Sequence, residues 1–362
     1  MNIFFLTETE SGCYKWRSGI PGKYLTRRGH TVQLLAKGNA MYEAPDAMVF
    51  FRAHFQEALK LVEWCRKRNV RVIFDTDDAL DLVPKENLNH GLLQPRLPIY
   101  EFLLREADLV TTTTDTLASY LRRWNPNVAV LPNSVDPEEW HPQPRSGETR
   151  VGWSGSPTHF TDLPVALDAI RDLQKRYPFK LVLQGMCKES SLDELHQVLY
   201  ARWGKPYTET PLGKSIKHLL AKLEGIRYEF HPNVPVGQHS QMVCDLALDI
   251  GIAPLLDNSF NHHKSCIKFY EFAMSGAVTV ASHVLPYSTE VPVTAKNNRE
   301  GWKNKLELML NSDRESLLRE QRDWVMTHRN IENTVELWER AYAGEGAGSL
   351  EPTAEAASLL QV

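Results

Sequence analysis

The chain has 362 residues, 42% of them hydrophobic and 24% charged, with a formal net charge of -4. That length predicts two domains, each able to bury its own core, and the composition is that of an ordinary globular protein. The slightly acidic balance excludes any electrostatic case for nucleic acid, which usually leaves a basic footprint, so partners have to be argued from individual sites.

The opening MNIFFLTETE lacks a basic region before its short apolar run, so it reads as a first strand at 2–6 rather than a secretory signal. Strands follow at 32–35, 48–51, 70–74, 109–112 and 128–131, with helices at 20–28, 56–68, 99–106 and 114–124. Such alternation predicts an α/β domain with a parallel sheet covered by helices. Pro132, Pro137, Pro142 and Pro144 then stiffen the chain and Gly147 loosens it, which sets a hinge between a first domain, 1–143, and a second, 144–330. A new alternation starts at Arg150 with VGWSG, then a helix at 163–177 and strands at 180–184 and 226–230. Residues 186–225 form an insertion, helical in parts. Helices close the second domain at 298–310 and 314–329, and a last one spans 331–343. From 344 to 362 the chain is mostly Gly, Ala, Ser and Glu, the composition of a disordered tail. No run approaches a membrane span. Cys13, Cys65, Cys187, Cys244 and Cys266 are scattered without metal spacing, which fits a reduced, cytoplasmic setting.

The most informative stretch is GIAPLLDNSFNHHKSCIKFYEFAMSGAVTVAS, from Gly251 to Ser282. It reads as buried strand (246–256), polar loop (257–265), amphipathic helix, glycine stop at Gly276 and second buried strand (278–281). In open parallel sheets ligands sit outside the strands' carboxyl ends, where helix N-termini offer free N–H groups to anions. Lys264, Ser265 and Lys268 are the cations and hydroxyl placed to neutralise a diphosphate there. Glu271, one turn into an otherwise apolar helix, needs a partner: both hydroxyls of a ribose, or an intrahelical ion pair with Lys268.

Three other segments carry chemistry. In VGWSGSPTHFTD (151–162) the small residues Gly155 and Ser156 let backbone amides approach a phosphate closely, and His159 stands ready to donate to a diphosphate oxygen, unless Thr161 or Asp162 merely caps the next helix. In ETESGCYKWRSGIP, Gly12 and Arg17 sit in the loop after the first strand; Arg17 offers a fork of donors for phosphate, or is an ordinary surface arginine. VIFDTDDALD sets Asp75, Asp77 and Asp78 at a strand's carboxyl end, for general base work, for metal binding or for helix capping. His54 is a weaker candidate at the neighbouring strand end.

The 251–282 stretch resembles the donor site of GT-B glycosyltransferases of the family 4 (group 1) type, whose second domain carries a Glu-x7-Glu signature. Glu271 matches the second Glu, FAMSGAVTVAS stands where relatives read approximately EAMACGxPVV, and His263 occupies the place of the first Glu. LPNSVDPEEW, 131–140, is similar to the family's PNGVD segment, and GHTVQLLAK to its GHxVxVL strand. The resemblance implies two Rossmann-like doubly wound domains facing across a cleft, with the last helix crossing back onto the first. It implies a retaining transferase that moves a sugar from a nucleotide-sugar donor to a hydroxyl, with no obligatory cofactor or metal. By that resemblance Gly12, Arg17, Gly155, Ser156, His159, His263, Lys264, Ser265, Lys268 and Glu271 hold the donor, while Asp75 or Asp77, with Lys268, carries the chemistry. The implied acceptor is a glycan or lipid-linked saccharide. Alternatives are a hydroxymethylated DNA base, given the lysines of 186–225, and a catalytically silent sugar-nucleotide-binding module.

Overall fold

The computed structural model describes residues 1–7, 11–36, 43–145 and 147–345. Each half of the chain gathers its strands into one six-stranded sheet. The first contains β1 (Asn2–Thr7), β2 (Thr31–Ala36), β3 (Ala47–Phe51), β4 (Arg71–Asp75), β5 (Leu109–Thr112) and β6 (Val128–Val130), in the order β2-β1-β3-β4-β5-β6. The second contains β7 (Thr149–Ser154), β8 (Phe179–Gln184), β9 (Tyr228–His231), β10 (Ile250–Ala253), β11 (Val278–Ser282) and β12 (Thr294–Ala295), in the order β12-β11-β10-β7-β8-β9. Every pairing is parallel. A parallel sheet has to be covered on both faces, and AMVFF in β3 and VTVAS in β11 are accordingly buried at every position.

The strand order reverses between β1 and β3 in the first sheet and between β7 and β10 in the second. At such a point successive connections leave on opposite faces, and the carboxyl ends of the two strands part to form a crevice. Helix Ile267–Ser275 follows β10, ends at Gly276 with a left-handed φ of 94°, and leads directly into β11. The closing helix, Ile331–Ala343, packs on the first sheet: Tyr342 meets Phe5 edge-on at 5.8 Å, and Thr334 and Ser134 share a hydroxyl hydrogen bond of 2.8 Å.

Two local expectations need correcting, and the helical reading of the insertion holds. The loop after β1 is helical from Gly12 onward, as a turn Gly12–Tyr14, a wide π-type turn Lys15–Gly19 and helix Ile20–Arg27. The wide turn bonds Ile20 N–H to Lys15 O and so resets the register just before Pro21, which has no N–H to give. Strand β10 is shorter than 246–256, because Leu246 still closes helix His239–Asp245 and Ala247 turns the chain at φ 47°. The insertion is two helices, Leu192–Glu209 and Pro211–Leu223, the first kinked at Gly204. The tail expected to be disordered lies outside the described residues from 346 onward.

Arg17 and Asp75 are also corrections. Both side chains are completely buried and face each other: Arg17 donates through Nε to Asp75 Oδ1 at 2.9 Å and through Nη2 to Oδ2 at 2.6 Å. Thr111 donates to the same carboxylate at 2.6 Å, and Arg17 Nη1 reaches the Leu131 carbonyl and Asn133 Oδ1. Its guanidinium lies 4.5 Å over the Trp338 ring. Neither group can clamp a phosphate or take a proton from an acceptor, because each is saturated within the core. Breaking such a pair leaves an uncompensated buried charge, at about 3–5 kcal/mol. Arg17→Met is therefore expected to lose stability on that scale in urea unfolding, and Arg17→Met combined with Asp75→Leu to lose much less than the sum of the two single changes.

Candidate active site

Residues from both crevices line one cavity of about 240 Å³. From the second sheet come Gly155, Ser156 and His159 after β7, Asn233 and Val234 after β9, and Ile267, Lys268 and Glu271 after β10. From the first come Gly12, Cys13, Lys15 and Trp16 after β1, joined by Glu139 and Trp140 from the connection between the sheets.

Gly155 sets the depth of the cavity wall. A Cβ there would stand 2.6 Å from the Trp153 ring and 2.7 Å from Lys268 Nζ, separations no side chain tolerates. The bare backbone lets Lys268 lie across it, with Nζ donating to Ser154 O at 2.8 Å and sitting 5.0 Å from the Trp153 ring centroid. Burial makes the ammonium costly and brings the Lys268 pKa down to about 8.

Glu271, 5% exposed, stands one turn along the same helix face and accepts from His239 Nε2 at 3.0 Å. Burial opposes its charge, but the charge and hydrogen bond of His239, with Lys268 nearby, outweigh it and hold the carboxyl below its usual range. The partner is thus His239, not the intrahelical Lys268. Beside it Lys15 pairs with Glu139 and donates to Ser240 at 2.8 Å, and Ser240 donates to Glu139 at 2.9 Å. One end of the cavity therefore carries a cation over open backbone, and the other a carboxylate among hydroxyl and imidazole groups.

His159 is neither a free donor nor simply exposed. Its Nδ1 meets Asp162 Oδ2 at 2.7 Å, and burial together with Lys268 lowers its pKa from the usual histidine value. Asp162 does not cap the next helix; its Oδ1 accepts from Leu256 N at 2.8 Å and from Asn261 Nδ2 at 3.1 Å.

The polar loop departs from expectation as well. His263 lies against the Tyr120 ring at 4.6 Å, Lys264 donates to Asp78 at 3.3 Å, and Ser265 accepts from Asn133 Nδ2 at 2.8 Å. All three partners belong to the first half of the chain, and none of the three residues lines the cavity. They fasten the two halves together. Phe260 of the same loop is buried in the first sheet's core, and Leu88 reaches the other way to pack on the second sheet's core.

Asp77, 7% exposed, lies behind Cys13 with its Oδ1 3.4 Å from Arg52 Nε and without a hydrogen bond on that oxygen. Burial raises its pKa above the usual carboxylate value, with neighbouring Asp78 adding to the rise. Arg52 takes a left-handed φ of 45°, an unfavourable conformation for a non-glycine residue. His54 is turned back onto the Arg52 carbonyl at 2.6 Å. Among the described residues no group of three or more His, Cys, Asp or Glu side chains is arranged to hold a metal ion.

No family model and no curated protein matches the chain. Solved structures do. An alpha-glucosyltransferase in complex with UDP and a 13-mer DNA containing an HMU base superposes with a TM-score of 0.66 at 13% identity, covering 95% of this chain and 99% of that one. The catalytic domain of starch synthase IV from Arabidopsis thaliana, bound to ADP and acarbose, gives 0.63 at 11% identity, over 94% and 98%. A glycosyltransferase from Rickettsia africae gives 0.58 at 14% identity, over 94% and 97%. The fold is GT-B.

In this GT-B frame the sequence reading named Gly12, Gly155, Ser156, His159, Lys268 and Glu271 of the cavity and missed Lys15, Glu139, Asn233, His239 and Ser240. Glu139 lies within LPNSVDPEEW, whose likeness to the PNGVD segment gave that glutamate no role. His239 and Ser240 open a short helix with no apolar periodicity to mark it. Gly155→Ala would force Trp153 and Lys268 apart, and overpacking of this kind costs about 1–3 kcal/mol. Chemical denaturation should show that loss, with a red-shifted tryptophan emission as Trp153 moves toward water.

Proposed function

We propose that this chain is a glycosyltransferase that uses a nucleotide-sugar donor, held mainly by residues 144–330, and an acceptor hydroxyl presented by residues 1–143. The observation that carries the reading is the buried Glu271 carboxylate on the floor of a cavity between two Rossmann-like lobes, with Lys268 one turn away. A nucleoside diphosphate has the complementary polarity: vicinal ribose hydroxyls for the carboxylate, and a diphosphate for the ammonium, which the side-chain-free Gly155 and the small Ser156 leave room to approach. His159 and Gly12 complete the contacts. The solved GT-B structures with UDP or ADP support the same assignment.

The chemistry we propose retains the anomeric configuration. The bond from the anomeric carbon to the diphosphate oxygen breaks, its electron pair leaving with the diphosphate, whose new charge Lys268 stabilises. The acceptor oxygen bonds the anomeric carbon on the same face, and its proton passes to the departing phosphate oxygen. Asp77, expected to position the acceptor, takes no part in this step: it does not line the cavity, and its unbonded oxygen is buried against Arg52. No protein nucleophile is required.

A glycan or lipid-linked saccharide is the acceptor we favour. The DNA reading draws support from the neighbours solved with DNA, but two of the insertion lysines are engaged with carboxylates, Lys217 with Glu209 and Lys222 with Asp168. Duplex binding that weakens steeply with salt would reverse that preference.

Glu271→Gln removes the charge and keeps the shape. A charge-assisted hydrogen bond is worth about 1.5–3 kcal/mol, so calorimetry should show donor affinity falling about 10- to 150-fold, with the fold intact. Unchanged affinity across a panel of nucleotide sugars would sink the assignment, and donor binding with neither transfer nor slow hydrolysis would leave a silent binding module.

The pH dependence follows from Lys268. The diphosphate prefers the ammonium, which the empty protein loses as pH rises through about 8. Donor affinity should be flat below that pH as far as Lys268 is concerned, and above it should fall by up to about tenfold per unit. Lys268→Met should bind weakly and lack that alkaline limb.

A further inference from the structure

The pairing of His159 with Asp162 is a feature of the cavity to which the donor contacts proposed above give no role. Asp162, 3% exposed, accepts at both oxygens: from Leu256 N and Asn261 Nδ2 at one, and from the imidazole at the other. A carboxylate cannot donate, so the proton between the two side chains belongs to His159 Nδ1, and the ring is fixed as one tautomer. The remaining nitrogen, Nε2, then carries a lone pair, on a residue that lines the cavity with Gly155 and Lys268. A lone pair repels a phosphate oxygen. The same nitrogen becomes a strong donor once protonated.

The groups facing His159 decide when that happens. Lys268 comes from the helix after β10, Lys264 from the loop before it, and both oppose a second positive charge. Asp162 favours it, and Asp78 adds a more distant negative charge from the first lobe. The Trp153 ring, edge-on at 6.3 Å, excludes water from one side. In the empty cavity the cations and the burial prevail and the ring is neutral near pH 7. An anionic ligand against Lys268 reverses the balance, because its own charge cancels the repulsion that kept the proton away.

We propose that His159 and Asp162 form a proton-linked diphosphate grip, in which the imidazole is neutral in the empty cavity and takes up a proton at Nε2 when a diphosphate enters. Asp162 is the positioning residue: it fixes the tautomer, balances the new charge, and ties both to the loop that carries Asn261 and leads into the Lys268 helix. A nucleoside diphosphate carries one more negative charge than the sugar nucleotide it comes from, so the grip holds the departing product more tightly than the intact donor. The inference rests on the proposed donor site, and reaches beyond it to how the site tells donor from product.

The test reads the imidazole directly. Nitrogen-15 labelled protein at pH 7 should show His159 as the neutral Nδ1–H form, distinct from the other histidines by its loss in His159→Gln. Adding inorganic pyrophosphate or UDP should convert it to the doubly protonated form. Calorimetry in buffers of different ionisation enthalpy should show proton uptake that His159→Gln abolishes and that is larger for UDP than for a UDP-sugar. Asp162→Asn should lose the single tautomer and bind pyrophosphate about tenfold more weakly at pH 7, the effect of roughly one unit of imidazole pKa. His159 found charged in the empty protein, or still neutral when pyrophosphate or UDP is bound, overturns the grip. The two readings fail separately: conversion by pyrophosphate with no binding of any nucleotide keeps the grip and removes the transferase assignment, whereas nucleotide binding with a neutral His159 does the opposite.

Discussion

The arrangement of this protein depends on one buried ion pair. Arg17 and Asp75 are fully enclosed, and each has its hydrogen-bonding capacity met by the other and by Thr111, Leu131 and Asn133. Two charges removed from water are tolerated only on those terms. The pair fixes the end of β4 against the wide turn after β1, and so fixes the wall of the first lobe that carries Gly12, Cys13 and Lys15. Asn133 extends the constraint, accepting from Arg17 at 3.2 Å while donating to Ser265 at 2.8 Å. Ser265 precedes the helix that bears Lys268 and Glu271. A core ion pair of one lobe is thereby two hydrogen bonds away from the segment leading into the cavity-lining helix of the other.

The second lobe meets this constraint with a loop rather than a surface. Phe260 enters the first lobe's core, His263 packs on Tyr120, and Lys264 pairs with Asp78. These contacts explain why the residues most conspicuous in sequence are not in the cavity. A basic and histidine-rich loop beside a helix N-terminus has the chemistry of an anion site, and the same chemistry serves to dock against a carboxylate and an aromatic ring across the cleft. Burial separates the two uses.

Much of the architecture was legible because its signals are local. Alternating apolar runs and helical periods placed ten of the twelve strands of the described residues close to their true positions, and the helix at 267–275, the Gly276 stop and β11 read correctly because they occupy one continuous segment. What sequence could not give was depth. Arg17 reads as a loop arginine because nothing local shows that Trp338, more than three hundred residues later, will lie over it. Lys15, Glu139, His239 and Ser240 meet only after both lobes have folded and approached, and no spacing within the chain records that meeting. The two-residue β12 is shorter than any period can register.

The charge pattern of the cavity gives the fold its polarity. Lys268 is held over the backbone of Ser154 and Gly155, so its cation stands at the carboxyl end of β7, beside a turn whose Gly155 N–H is already given to the Gln184 carbonyl. Glu271, on the same helix face one turn farther along, is paired with His239, and Lys15 and Glu139 neutralise one another beside it. The cavity therefore presents one uncompensated cation and one partly compensated anion, separated by about a helical turn, roughly 5 Å along the axis. A small inorganic anion would satisfy the first and leave the second buried without a hydroxyl to bind. A ligand that carries phosphate and vicinal hydroxyls on adjoining groups satisfies both at once, and that complementarity, more than the shape of either lobe, is the ground on which we propose a nucleotide for this cleft.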